Sequence, residues 1–146
     1  MSIKTFRGLL NDGSQTRIRL KHIDGKTGYR IKKLQAIDDE PGEVEVEMVV
    51  KIYSIEQTAV DNTVNFSDPT LLGVAVYANQ GNQSVVSSEQ VIFDTTIFNQ
   101  DIFVTAFSWE GSPGCNYYLE LETISLDDVE ATAVILKNFR NTNTVA

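Results

Sequence analysis

The residues that could support catalysis are few and stand far apart in the sequence. The chain has one histidine, His22, and one cysteine, Cys115. A nucleophile and its base must lie within hydrogen-bonding reach of each other. His22 ends a predicted strand beside a turn, whereas Cys115 follows a Gly-Ser-Pro-Gly loop and enters another predicted strand. These positions favour an exposed or structurally hydrogen-bonded histidine and a partly buried structural thiol over a catalytic dyad.

Carboxylates and metal ligands give no clearer site. Four acidic residues between Asp38 and Glu43 could supply oxygen ligands to Ca²⁺, but they lack the ordered spacing of a calcium loop, and a solvated acidic turn is favoured. Glu120 and Glu122 share one face of a predicted strand, and paired carboxylates can catalyse glycoside hydrolysis. Any sheet surface in so acidic a protein would show such a pair, so it does not indicate a catalytic site. One Cys and one His cannot complete a four-ligand zinc site in a single copy. The sequence therefore predicts no catalytic residue, no cofactor and no metal, and the chain is not expected to be an enzyme.

Charge is divided unevenly along the 146 residues. The formal net charge is -8, yet residues 1–33 carry nine basic and two acidic side chains, and the rest of the chain is strongly acidic. A protein with this net negative charge would repel nucleic acid phosphates and anionic membranes over most of its surface, so neither is an expected partner. The division suggests head-to-tail contact between copies, or else neutralisation within one monomer. The candidate interface residues of this basic segment are Arg7, Arg17, Arg19 and Lys21.

Length and composition are typical of one folded domain, expected to span residues 1–146. The first residues lack the apolar stretch and cleavage site of a secretory signal. A single cysteine excludes an intrachain disulfide and suits a reducing compartment, so synthesis in a cytoplasm is expected.

Alternating hydrophobicity predicts an all-β chain. The clearest run is Glu43 to Tyr53, where one parity is apolar and should be buried while the other should be largely wet. A change of parity at Lys32-Lys33 predicts a β-bulge. The runs at 97–107 and 117–124 should pair as a hairpin, and the polar stretch 54–69 should connect two sheets. About eight strands suit a two-sheet sandwich or jelly roll.

One short helix is expected at the C-terminus, over about residues 126–140. Ser125 can cap the first N–H groups, and acidic residues follow it at the positive end of the helix dipole. Apolar residues at helical spacing predict the side that packs on the sandwich. That side comprises Leu126, Val129, Ala133 and Leu136.

Two aromatic residues are candidates for contact with a partner. Trp109 is predicted near a hairpin tip, where a tryptophan is costly to leave wet unless a partner or its own sheet covers it. Tyr53 falls on the outward parity of its strand. Both are therefore expected at an interface, with the alternative that Trp109 folds back onto its own sheet.

Three features from Asp94 onward occur together. They are an Asn-x-Asp-aliphatic pattern at Asn99 to Phe103, the strand Asn116 to Glu122, and the short helix with an acidic start. In this combination, over about a third of the chain, the segment resembles the C-terminal half of small β-rich virion proteins of tailed bacteriophages.

The resemblance implies a capsid decoration or cement protein located in the virion. Proteins of this kind form symmetric oligomers, with a trimer favoured here, and bind the major capsid protein. The basic segment 1–33 would then dock onto an acidic capsid surface, an assignment that rests on charge alone. The alternative is a tail-associated or glycan-binding sandwich that presents Trp109 or Tyr53 to the host surface.

Overall fold

The computed structural model describes residues 2–41, 45–79, 86–110 and 114–144. Across these ranges the chain forms eight β-strands and one α-helix. They are β1 (Ile3–Asn11), β2 (Ser14–Ile18), β3 (Thr27–Asp38), β4 (Val46–Tyr53), β5 (Leu71–Asn79), β6 (Val86–Ile92), β7 (Ile102–Glu110), β8 (Gly114–Ser125) and α1 (Asp128–Thr144).

The described strands form two antiparallel sheets that face each other. One has the order β1-β8-β3 and the other β2-β7-β4-β5-β6. Early strands thus alternate with late ones in both sheets, as in a jelly roll, except that β6 extends the larger sheet beside β5. The expected all-β sandwich with one C-terminal helix is confirmed.

Two predicted connections are wrong. β7 and β8 do not form a hairpin, because β7 pairs with β2 and β4 in the larger sheet while β8 pairs with β1 and β3 in the smaller one. The polar segment 54–70 does not link two sheets, since it joins β4 to its neighbour β5. Adjacency in sequence was a poor guide for β7 and β8, because the interleaved order places them in different sheets. For β4 and β5 it was the better guide, since these neighbours in sequence also pair in one sheet.

The core lies between the sheets and follows the predicted alternation. Val50 and Ile52 of β4 pack with Leu119 and Leu121 of β8 in one buried cluster. The bulge is also confirmed, since the register of β3 against β8 shifts between Ile31 and Lys33. The prediction that the other parity of β4 is exposed to solvent is wrong. That parity is buried too, at Val49, Lys51 and Tyr53.

Helix α1 forms where expected but turns a different side to the sandwich. Its cap is Asp127 rather than Ser125: the Glu130 N–H donates to Asp127 Oδ1 at 2.8 Å, and the Asp127 N–H donates to Glu130 Oε1 at 3.2 Å. Ala131 is buried, together with Leu126 just before the helix. The remaining residues of the predicted packing side are exposed, and they are Val129, Ala133 and Leu136.

Asn99 and Asp101 of the Asn-x-Asp pattern hold the segment that follows β2. Buried Asn99 donates from Nδ2 to the carbonyl oxygens of Gly25 at 3.0 Å and Ala131 at 3.4 Å. Asp101 accepts from the N–H groups of Leu20 and Lys21, at 2.8 and 3.0 Å. In this fold the pattern anchors the connection between β2 and β3, and through Ala131 it also anchors α1.

Candidate functional site

The outer face of the three-stranded sheet carries an open groove of about 400 Å³. Two rows of side chains cross it, because Arg7 and Gln35 lie opposite Tyr118, while Leu9 and Ile37 lie opposite Asn116. We call this surface the β1–β8–β3 groove. Its outward side chains are Arg7, Leu9, Gln35, Ile37, Asn116 and Tyr118.

Gly8 and Tyr117 lie between the two rows and line the groove. A Cβ at Gly8 would lie 2.9 Å from Cε1 of Tyr117, so any larger residue would push on the tyrosine ring. Tyr117 is nearly buried and belongs to the core, and that burial raises the pKa of its hydroxyl. The backbone of β1 can therefore approach the Tyr117 ring closely because position 8 is a glycine.

The groove combines apolar, aromatic and basic groups. Leu9 and Ile37 are about half exposed although both are large and aliphatic. Lys33 Nζ lies 5.9 Å from the centre of the Tyr118 ring, within the range of a cation–π contact. The Tyr118 hydroxyl donates to Glu120 Oε2 at 2.8 Å, and this hydrogen bond raises the pKa of the tyrosine. Such a mixture is typical of a protein-binding surface.

Basic side chains outnumber acidic ones on this face. Arg30 Nη2 lies 2.9 Å from Glu122 Oε1, and Lys32 Nζ lies 3.7 Å from the other oxygen of the same carboxylate. Arg7 and Lys33 add two more cations, against the second acidic residue Glu120. The face is therefore positive on a molecule whose net charge is -8.

A second, smaller groove of about 220 Å³ lies on the outer face of the five-stranded sheet. Trp109 of β7 borders it and is 64% exposed, and Phe107 and Val76 continue the apolar wall. Asn62 and Glu47 add polar groups to the lining. The alternative that Trp109 folds back onto its own sheet is wrong, because this residue is largely exposed.

The segment 54–70 covers much of the rest of this sheet. Lys51 is only 2% exposed, and its Nζ lies 3.0 Å from Asp61 Oδ1 and 2.6 Å from the Thr63 carbonyl oxygen. The hydrogen bond from Lys51 to the Asp61 carboxylate holds the pKa of Asp61 below its ordinary value. Phe66 packs edge-on against Phe93 at 5.6 Å. The ammonium group and this aromatic contact hold the segment over the strands.

Tyr53 is not available to a partner, so its assignment as an interface residue is wrong. It does face outward from its strand, as predicted, but packs with Val49, Leu71 and Val74 in an apolar cluster and is 7% exposed. Lys51 Nζ lies 5.4 Å from its ring centre. No local pattern predicts that segment 54–70 covers Tyr53, because this segment is polar and weakly periodic.

The four basic interface candidates do not form one surface. Arg7 lies in the three-stranded sheet, whereas Arg17 lies on β2 of the other sheet and pairs with Asp101 at 2.9 Å. Arg19 and Lys21 follow β2 and are exposed. Part of the basic segment is thus neutralised within one monomer, because Arg17 pairs with Asp101. Arg7 alone borders the larger groove.

The residues considered for chemistry are held structurally. His22 Nε2 lies 3.0 Å from the Tyr29 hydroxyl, as expected of a structurally hydrogen-bonded histidine. Cys115 is buried, and this burial, with smaller contributions from Asp38 and Asp39, raises its pKa to about 12. Glu122 is engaged by Arg30. In the acidic turn, Glu43 lies outside the described residues, and the described part of the chain contains no group of three potential metal-ligating side chains.

Sequence reasoning missed Tyr118, Gln35 and Asn116 as parts of a groove, and Lys51 as the anchor of a covering segment. The outward parity of β8 did place Asn116 and Tyr118 on one face. The sequence pattern did not predict that β1 and β3 flank β8, and therefore did not predict that Arg7 and Ile37 share that face.

Comparison with known proteins adds little. No protein-family model and no curated protein matches the chain. One similar solved structure, from Bacteroides thetaiotaomicron, is named as a candidate glycoside hydrolase; the identity is 13% and the TM-score 0.30. The match covers 78% of this chain and 41% of the other, so the chain spans less than half of that protein. None of the helical segments in the described ranges is long and apolar enough to cross a membrane.

Proposed function

We propose that the chain is a non-enzymatic assembly protein, a virion component of the decoration type that docks onto an acidic protein surface of the capsid. The observation that carries the proposal is the β1–β8–β3 groove, where Leu9, Ile37 and Tyr118 lie beside Arg7 on a basic face. Exposed apolar and aromatic groups next to arginine are the usual centre of a protein interface. The cations favour an acidic partner, for which the major capsid protein is the proposed candidate.

The first test asks whether the chain is part of a particle. Particles from cells that produce the chain are banded by density, and the band is analysed by quantitative mass spectrometry. We expect the chain in a fixed ratio to the shell protein. A chain that remains entirely in the soluble fraction contradicts a virion role.

A second test identifies the docking surface. Shells stripped of the chain are incubated with purified wild-type protein and with the variant Arg7→Glu, at low and high salt. We expect Arg7→Glu to weaken binding by about tenfold or more, and added salt to weaken the wild type. The matched control is Arg19→Glu, an exposed arginine that follows β2 of the other sheet. Equal losses for both variants would point to net charge rather than to the groove.

One observation favours a second candidate function, a glycan-binding module. Trp109 is exposed beside Asn62 and Glu47, and a tryptophan face next to polar groups suits a sugar ring. A glycan array probed with wild type and Trp109→Ala tests this. A signal lost on substitution supports the module, and no signal from either protein contradicts it.

A further inference from the structure

The outward side of α1 is an apolar stripe that the described part of the chain leaves exposed. Val129 is 79% exposed, Leu136 57% and Phe139 65%, and Ala133 between them is also exposed. These residues are spaced at three and four, so they share one side of the helix. The buried contacts of α1 lie on the opposite side, at Ala131.

Charges are arranged along this stripe in a self-complementary way. Asp128 and Glu130 stand in the first turn of α1, and Lys137 and Arg140 stand two to three turns later. Glu130 and Lys137 are seven residues apart, so they project on the same flank of the helix. A second α1 laid antiparallel, related by a two-fold axis near residue 134, would place each Glu130 beside the Lys137 of the other copy.

The apolar residues fit the same register. In this arrangement Val129 meets Phe139 of the other copy, and Ala133 meets Leu136. The small side chain of Ala133 leaves room for the larger leucine near the centre. A parallel arrangement would instead bring like charges together, at a cost in free energy.

We infer that α1 is a homodimer contact, in which the stripe Val129, Ala133, Leu136 and Phe139 of one copy packs antiparallel on the same stripe of a second copy, in place of the trimer that the resemblance favours. The inference deepens the proposed assembly function and rests on it, since it names the contact by which copies pair. The stripe spans about 15 Å of helix, so the contact is small and the dimer is weak. Measurement therefore requires high protein concentration.

Sedimentation equilibrium over a range of protein concentrations tests the pairing. We expect the wild type to be in reversible monomer–dimer equilibrium, and Leu136→Glu to be monomeric at every concentration. Because Leu136 is exposed, the variant should keep the circular dichroism spectrum of the wild type. Val91→Glu, an exposed valine on β6, is the matched control and should dimerise normally.

Charge reversal then tests the antiparallel register. Lys137→Glu should weaken dimerisation by about three- to tenfold. Glu130→Lys should weaken it too, although it also removes the hydrogen bond from the Asp127 N–H, and the double variant should dimerise better than Glu130→Lys, which lacks the same cap. A monomeric wild type, a trimer, or a dimer unaffected by Leu136→Glu would overturn the inference, and so would a double variant no better than Glu130→Lys. Leu136→Glu should still reach stripped shells through the β1–β8–β3 groove, and Arg7→Glu should still dimerise. Failure of the pairing is thereby distinguishable from failure of the proposed function.

Discussion

The thiol of Cys115 belongs to the core that the two sheets share. Burial raises its pKa to about 12, and only the thiolate reacts readily with disulfide reagents. We therefore expect native protein at pH 8 to resist labelling, and denatured protein to react with one equivalent. Absorbance of the released chromophore measures both. Fast, complete labelling of the native protein would show that the thiol is accessible or activated.

Asp101 should make stability depend on pH. Burial alone would raise the pKa of this carboxyl, but hydrogen bonds from the Lys21 and Leu20 N–H groups and from Arg17 outweigh it and hold the pKa below the ordinary 3.8. A carboxyl with a lowered folded-state pKa stabilises the protein fully above its unfolded pKa. This stabilisation is lost as the pH falls through the folded-state pKa.

The variant Asp101→Asn isolates this contribution. It keeps an oxygen that can accept from the two N–H groups but loses the charge that faces Arg17. At pH 7 we expect a loss of about 1–2 kcal/mol in the free energy of unfolding, measured with urea. The difference from wild type should shrink below pH 3.8. The exposed Asp94→Asn is the control, and a difference that stays constant down to acid pH would contradict the assignment.

Roles of single residues could be predicted where they follow from local sequence. His22 stands beside a turn and Cys115 enters a strand, and both are held structurally as expected. The role of Asp101 depends on Leu20 and Lys21, about 80 residues away in sequence. No local sequence pattern predicts these hydrogen bonds, because only the fold brings Asp101 close to the two N–H groups.

The N-terminus of α1 gives a prediction at the scale of the element. Asp127 and Glu130 cap each other's N–H groups, so Asp127→Ala should cost about 1 kcal/mol of stability. Asp127→Asn is the matched control, because asparagine caps a helix about as well. Thermal unfolding followed by circular dichroism compares the three proteins. Equal losses for the two variants would attribute the effect to the negative charge rather than to the cap.

Elements were predicted more reliably than the sides they bury. The strands and α1 form close to where alternation and helical spacing placed them, because these patterns are local. The packing side of α1 was predicted wrongly, since apolar residues occur on both sides of the helix: Ala131 and Val134 on one, Val129 and Leu136 on the other. Which side faces the sandwich is set by contacts with Asn99 and Gly25, far away in sequence.

At the scale of the whole molecule, composition and alternation predict a sandwich but not its strand order. The predicted hairpin of β7 and β8 shows why. The energy gained by pairing two adjacent strands is similar to that gained by pairing each with distant partners, and the choice depends on burying both sheets together. The β1–β8–β3 groove exists only because β8 takes the central place between β1 and β3. The candidate site was therefore beyond local reasoning, apart from Arg7.

Interleaved strands and a shared core should make the two sheets unfold together. Leu119 of β8 and Val50 of β4 belong to the same buried cluster although they lie in different sheets. Leu119→Ala should therefore lower stability by about 2–5 kcal/mol, and the slowest amides of β4 should lose as much protection from hydrogen exchange as those of β8. The exposed Thr5→Ala on β1 is the control, with an expected change within about 0.5 kcal/mol. If β4 kept its protection while β8 lost it, the sheets would be separate cooperative units, and the shared core would not be what holds the sandwich together.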